Sequence, residues 1–277
     1  MGDCIHHGEA HRLAEEGSFA ASVPTLPVLQ YFPCRGRAEP IRLVLSYARQ
    51  PWFEPPPASV RQICSIMHGE FDGYPFRQLP RFIDDELNGE ADFVQSGAIL
   101  RHLGRKHDLY GKGLVEAGRI DMVLDAVSEL RAKIRAVVVE RRSEAAALQE
   151  YLGGVMAPEE ELKGLGMMGP GLASLEYLLA RRRYSDGGWL VGAGPSLADF
   201  AAFDLASIIG GLIHVDLHLA QSQLAEPLRN RFPALIAHHA KVAELHGVAE
   251  YLASDTRHAA LFAADWLREH GAPPPPA

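Results

Sequence analysis

The stretch "YFPCRGR", residues 31–37, puts a phenol, a thiol and two guanidinium groups around one glycine. It lies between the apolar run "PVLQYF" and "EPIRLVLSYARQ", whose apolar residues recur at helical spacing. The first reads as a buried strand and the second as a helix, with Pro40 in the first turn where a missing N–H costs nothing. Tyr31 therefore sits at a strand-to-helix junction, beside the positive partial charge of a helix N-terminus. Its hydroxyl can donate a hydrogen bond to an anion held there. Core packing alone also explains a tyrosine at this position.

Two further stretches have matching chemistry. In "RQLPRF", Pro80 directly precedes an apolar run. A cis Leu79–Pro80 bond would turn the Leu79 backbone outward, free to pair with an extended peptide; a proline that simply opens an edge strand is the plainer alternative. In "VQSGAIL", Ser96 reads as a helix N-cap, offering a hydroxyl and unpaired N–H groups to a carboxylate, with the Gln95 amide beside it. Taken alone, plain capping is the simpler account of Ser96.

Other polar clusters read as structural. "GPSLADF" is a capping box with Ser196 at the N-cap and Asp199 three residues on, contributing about 1 kcal/mol. The pairs His6–His7 and His238–His239 have no partner at metal-ligand spacing and read as surface residues. There is no phosphate-binding glycine loop, dinucleotide fingerprint or nucleophile elbow.

The elements that must position these residues fall into two parts. Residues 26–108 hold short mixed segments in the order β-α-β-α-β-β-α, the second strand being weak because "PWFEPPPAS" is rich in proline. After a linker at 109–113, residues 114–270 carry helical periodicity in "EAGRIDMVLDAVSELRAKIRAVVVERR", "LASLEYLLARRR", "LADFAAFDLASIIGGL", "PALIAHHAKVAEL" and "HAALFAADWLRE". Residues 1–25 read as a loosely ordered tail and 271–277 as a proline-rich one. The expected fold is thus an α/β N-terminal domain followed by an all-α C-terminal domain.

Bulk composition narrows the function. The chain has 277 residues and a net charge of −8, which argues against a general nucleic-acid binder. No run approaches the ~18 apolar residues that span a bilayer. Cys4, Cys34 and Cys64 make an odd count without metal-like spacing, which fits a reducing compartment. The first residues lack the apolar core of a secretory signal, so a cytoplasmic location is the expectation.

Taken together, "YFPCRGRAEPIRLVL", "QLPRFID", "VQSGAILRHLGRKHDLYGKG", "DMVLDAVSELRAK" and "PSLADF" resemble, in order, the cytosolic glutathione transferases, the pi class above all, with alpha, mu and sigma relatives. The resemblance implies a thioredoxin-like N-terminal domain, an all-helical C-terminal domain and a homodimer. It implies glutathione as co-substrate, a small hydrophobic electrophile as second substrate, and no other cofactor or metal. By resemblance Tyr31 is the catalytic tyrosine, and Arg37, Gln95 and Ser96 hold the γ-glutamyl end. Leu79 pairs its backbone with the cysteinyl unit ahead of a cis Pro80, and Gln78 meets the glycyl half. Glu129 reaches glutathione from the neighbouring subunit, and Phe76 is the aromatic key of the dimer. Phe32, Cys34 and Val139 fall at hydrophobic-substrate positions. The implied chemistry is stabilisation of the glutathione thiolate by the Tyr31 hydroxyl, followed by attack on the electrophile.

The chain departs from that pattern in places. The family's usual Trp and Lys or Arg ahead of "QLP" are missing from "SIMHGEFDGYPFR"; Arg77, Arg61 and His68 are the candidates to grip the glycine carboxylate. Val139 replaces a pi-class tyrosine, which implies a more apolar second site. Insertions fall at "NGEA" and around 141–169. Cys34 reads as a small buried hydrophobe or as a thiol forming a mixed disulfide with glutathione. Arg35 reads as structural. A glutathione-dependent isomerase or peroxidase, or a non-catalytic ligand-binding or structural member such as the lens crystallins, would share most of these motifs.

Overall fold

The computed structural model describes residues 26–56, 74–84, 91–135, 150, 171–215 and 230–262. The two expected tails, both histidines of the first pair, Cys4, Cys64, residues 88–90 of the "NGEA" turn and all of the insertion around 141–169 but Glu150 lie outside the described residues.

Strand β1 (Val28–Gln30) leads through a single 3₁₀ turn (Gly36–Ala38) into helix α1 (Glu39–Tyr47). Pro40 occupies the first turn of α1, as its missing N–H allows. Strands β2 (Arg81–Asp84) and β3 (Ala91–Val94) follow, then α2 (Ser96–Lys106). The described sheet runs β1-β2-β3, antiparallel throughout. The weak second strand is reduced to one parallel bridge, Val28 with Phe53, whose amide donates to Pro27 at 2.8 Å. The prolines that follow have no N–H with which to extend a ladder.

The register fixes the geometry of everything downstream. Gln30 pairs with Arg81, and Arg81 with Val94. The next residue along each strand edge is Tyr31, Pro80 and Gln95 respectively. Three stretches far apart in sequence therefore emerge at the same end of one sheet.

The second part is helical: α3 (Gly113–Arg135), α4 (Leu172–Ala180), α5 (Leu197–Val215), α6 (Pro233–Ala243) and α7 (Val248–Ala253). Apolar residues at helical spacing on α3, including Ile120, Val123, Val127 and Leu130, are buried, as are Leu197, Phe200 and Phe203 of α5. One continuous core joins them to Leu29, Ile41 and Leu45 of the first part. Salt bridges from Arg101 on α2 to Asp121 and Asp125 on α3 add a polar link, at 2.5 and 2.8 Å.

Two expectations are corrected here. His238 is not a surface residue: it is 2% exposed, with Nε2 2.8 Å from Asp199 Oδ1. His239 is half-buried, stacked on Phe203 and hydrogen-bonded to Ser207, and burial pushes its pKa down to about 4. Adjacent helical residues do face differently, but here both faces meet neighbouring elements. The expected helix "HAALFAADWLRE" does not form over His258–Phe262, where the Ala260 and Leu261 carbonyls instead accept from the Arg35 and Gly36 amides. The short helix α7, absent from the sequence reading, ends just before them.

The capping box holds in modified form. Asp199 Oδ2 accepts from both the amide and the hydroxyl of Ser196, each at 2.8 Å, while Oδ1 accepts from the Leu190 amide. The Asp199 carboxylate thus organises the start of α5, the preceding loop and His238 on α6. Among the described residues no helix is long and apolar enough to cross a membrane, and no group of His, Cys, Asp or Glu could hold a metal ion.

Candidate functional site

Tyr31 follows β1, with its ring edge-on to Phe32 at 5.7 Å. Its hydroxyl oxygen accepts a hydrogen bond from the Arg37 amide at 3.0 Å. That leaves the hydroxyl proton available for another acceptor. Burial, reinforced by Cys34 nearby, raises the Tyr31 pKa to about 12, against a smaller lowering by the Arg37 amide, Arg131 and Arg42. The group is therefore a neutral O–H at physiological pH: a donor, not a base.

Gly36 makes this approach possible. It adopts φ +42°, and a Cβ built on it would lie 2.5 Å from the Tyr31 hydroxyl oxygen and 2.8 Å from Cε1. Both the backbone conformation and the space demand a residue without a side chain.

Around the same sheet end, Leu79–Pro80 is a cis peptide bond, with Pro80 buried and Leu79 packed against Tyr74 and Val94. Gln95 has φ +71° and its side-chain amide donates to Gln78 Oε1 at 2.7 Å, so these two glutamines form a unit. Both are exposed. The structure corrects the expected cap: Gln95, not Ser96, is the N-cap of α2, and no side chain caps that helix. Ser96 is the first helical residue and shares a cleft with Arg37, Gly97, Asp125, Ser128 and Arg131. A helix N-terminus without a side-chain cap, a serine hydroxyl and three guanidinium groups, those of Arg37, Arg131 and an Arg101 already paired with Asp121 and Asp125, make this cleft suited to a carboxylate.

Other expected residues are placed as follows. Glu129 lies exposed on α3, paired with Lys133 at 3.0 Å. Phe76 is 64% exposed, a large apolar ring on the surface. Arg77 is exposed in the left-handed region at φ +48°, its amide bonded to the Tyr74 carbonyl. Cys34 is fully buried, its carbonyl accepting from Arg42, so its thiol presents no surface to a second substrate. Val139, Arg61 and His68 lie outside the described residues.

Sequence reasoning missed Arg131. One of its guanidinium nitrogens donates to the Gly36 carbonyl and another pairs with the buried carboxylate of Asp204 on α5. Burial raises the Asp204 pKa to about 6 even with that partner. The available signal was a pair of charges on the otherwise apolar faces of two long helices.

Comparison with known proteins agrees with this architecture. Residues 167–255 match the model of the glutathione S-transferase C-terminal domain. The chain is 32% identical to glutathione S-transferase P 1 of Xenopus laevis over 230 residues, covering 83% of this chain and 93% of that protein. It is 31% identical to a glutathione S-transferase of Dirofilaria immitis, covering 81% and 91%. Among solved structures, the pi-class glutathione S-transferase of Onchocerca volvulus superposes with a TM-score of 0.62 at 28% identity, covering 82% and 91%. The α/β part is thus a thioredoxin-like N-terminal domain, and the helical part is the C-terminal domain of the same fold. The chain belongs to the glutathione S-transferase family, with its likeness running to the pi class, and is by that membership a transferase.

Proposed function

We propose that this enzyme activates glutathione through Tyr31 and transfers its sulfur to hydrophobic electrophiles. Residues 26–108 supply the glutathione site and 114–270 the second site, across a linker at 109–113. The observation that carries the reading is the Tyr31 hydroxyl: neutral, accepting from the Arg37 amide, with its own proton free to donate.

The γ-glutamyl carboxylate sits at the start of α2 on Ser96 and Gln95, with Arg37 across the cleft. The backbone of Leu79 pairs with the cysteinyl unit, and Gln78 meets the glycyl half. The thiol then faces Tyr31. Free thiols with pKa near 8.5 are mostly protonated at neutral pH, and the thiolate is the nucleophile. The Tyr31 O–H donates to the sulfur anion, so the thiol proton is lost to solvent more readily; each unit of pKa lowering corresponds to ~1.4 kcal/mol. The sulfur attacks an electrophilic carbon, forming a C–S bond as the leaving group departs with its electron pair. Phe32 and Val139 contribute to the apolar site for that electrophile. The working form is a homodimer, with Phe76 inserted into the partner and Glu129 contributing to the partner's glutathione site. Glutathione is the only co-substrate needed.

Retention on immobilised glutathione combined with an aryl-halide conjugation assay tests this directly. Retention with turnover supports the proposal. Retention without turnover on a panel of aryl halides, enones and hydroperoxides makes the chain a carrier, and turnover on isomerisable or peroxidic substrates alone redirects the same thiolate to isomerase or peroxidase chemistry.

A further inference from the structure

Three successive peptide groups lead from Cys34 to Arg37, and each is held at both ends. In the first, the Cys34 carbonyl accepts from Arg42 at 2.8 Å and the Arg35 amide donates to the Ala260 carbonyl at 2.9 Å. In the second, the Arg35 carbonyl accepts from the Glu39 amide and the Gly36 amide donates to the Leu261 carbonyl, both at 2.9 Å. In the third, the Gly36 carbonyl accepts from Arg131 and the Arg37 amide donates to the Tyr31 hydroxyl. Two of these partners are main-chain carbonyls from the far end of the described chain.

That distant segment is itself anchored. Arg35 Nε donates to the His258 carbonyl at 2.9 Å. Arg257 Nε donates to one oxygen of the buried Glu39 carboxylate at 2.9 Å, and the Tyr251 hydroxyl donates to the other at the same distance. Glu39 is the first residue of α1, so the segment grips both the loop and the helix it feeds.

We propose that Arg257–Leu261 form a positioning strap that fixes the Arg37 amide against Tyr31 and so aims the Tyr31 hydroxyl at the bound thiol. The proposal rests on the role of Tyr31 given above. A hydrogen bond to a developing anion weakens steeply with misalignment. A loop released from Ala260 and Leu261 loses two of its fixed points, and the amide that orients Tyr31 shifts with it. Arg257 touches neither Tyr31 nor the cleft at the start of α2; it acts through the strap.

The test uses Arg257→Ala, Arg257→Lys and Arg35→Met in the full chain, with Tyr31→Phe in parallel. The readouts are the ultraviolet absorbance of the thiolate in the glutathione complex and the pH dependence of conjugation. Arg257→Ala and Arg35→Met raise the apparent thiol pKa by about half to one unit, so turnover at pH values well below that pKa falls roughly 3–10-fold while the alkaline plateau is retained. Arg257→Lys, which keeps a charge beside Glu39, stays near wild type. Arg35→Met keeps the apolar stem in place and decides the matter should Arg257→Ala not fold. An unchanged thiol pKa in folded variants, or an equal loss at every pH, overturns the strap. If Tyr31→Phe also leaves the thiol pKa unchanged, the role of Tyr31 itself falls; if only Tyr31→Phe shifts it, the strap alone falls.

Discussion

The Tyr31 ring lies where the side chain of residue 36 would be: a methyl group on Gly36 would come within 2.5 Å of the phenol oxygen. The same residue sits at φ +42° and offers its carbonyl to Arg131. Gly36→Ala therefore meets two penalties, about 1 kcal/mol for a left-handed non-glycine residue and 1–3 kcal/mol for overpacking. Thermal unfolding should show the loss. Conjugation turnover should fall further than the stability loss explains, because the tyrosine is pushed off the sheet end. A variant with wild-type turnover would mean that the position of Tyr31 does not matter to catalysis.

The Asp199 carboxylate holds the Leu190 amide, both polar groups of Ser196 and the imidazole of His238, all within the buried helical core. Asp199→Ala strands these groups without partners and should cost more than ~3 kcal/mol. Denaturant unfolding of purified protein, or loss of soluble expression, checks this. Glutathione affinity of whatever folds should be unchanged, since none of these groups borders the cleft at Ser96.

Asp204 gives a pH signature. Its folded pKa is raised to about 6, above the ordinary carboxylate value. The folded state thus binds the extra proton between about pH 4 and pH 6, and stability from this group falls as pH rises through that window and is level above it. The difference in unfolding free energy between wild type and Asp204→Asn, measured by urea titration from pH 4 to 7, should therefore change across that window and flatten above it. Glu54 has the opposite sign. Burial raises its pKa, but hydrogen bonds from Arg42 and Trp52, with the His258 imidazole 3.6 Å away, bring it down to about 2. Its stabilisation is complete above about pH 4.5 and is lost as pH falls toward 2. Glu54→Gln should accordingly lose acid sensitivity in that lower window.

The residues gathered at this sheet end carry local signals in the sequence. Pro40 after a glycine-containing turn, Pro80 before β2 and the polar residues opening α2 are each local, and the sheet register brings their neighbours together. The fold class was likewise legible from periodicity on α1 and α3. What escaped it was carried by contacts between distant segments. His238 looked exposed because nothing near it in sequence shows Asp199 waiting on α5. Ser96 looked like a cap because side-chain type marks a helix start only to within a residue, and Gln95 in the left-handed region took the position instead. The Arg257–Leu261 strap has helical periodicity in its residues, yet its main chain is spent on Arg35 and Gly36, and carbonyls leave no mark on composition.

Of the candidates to hold the glycine carboxylate of glutathione under the proposed function, Arg77 is the one among the described residues. It follows Phe76 and precedes Gln78, exposed and held at φ +48° by its turn. Arg77→Ala should weaken glutathione binding roughly fivefold to twentyfold, in line with loss of one partly exposed charge-assisted hydrogen bond, with little change in turnover at saturation. Calorimetric titration of glutathione measures it. Unaltered affinity would remove Arg77 from the candidates for that role.

The most direct measurement is the thiolate absorbance of the glutathione complex followed against pH, in wild type and in Tyr31→Phe. Wild type should show a bound thiol titrating well below the ordinary thiol range. Tyr31→Phe should bind glutathione with nearly unchanged affinity but titrate close to the free thiol, with conjugation at neutral pH reduced in proportion. Equal titration curves for the two proteins would contradict the assignment of Tyr31 as the group that stabilises the thiolate.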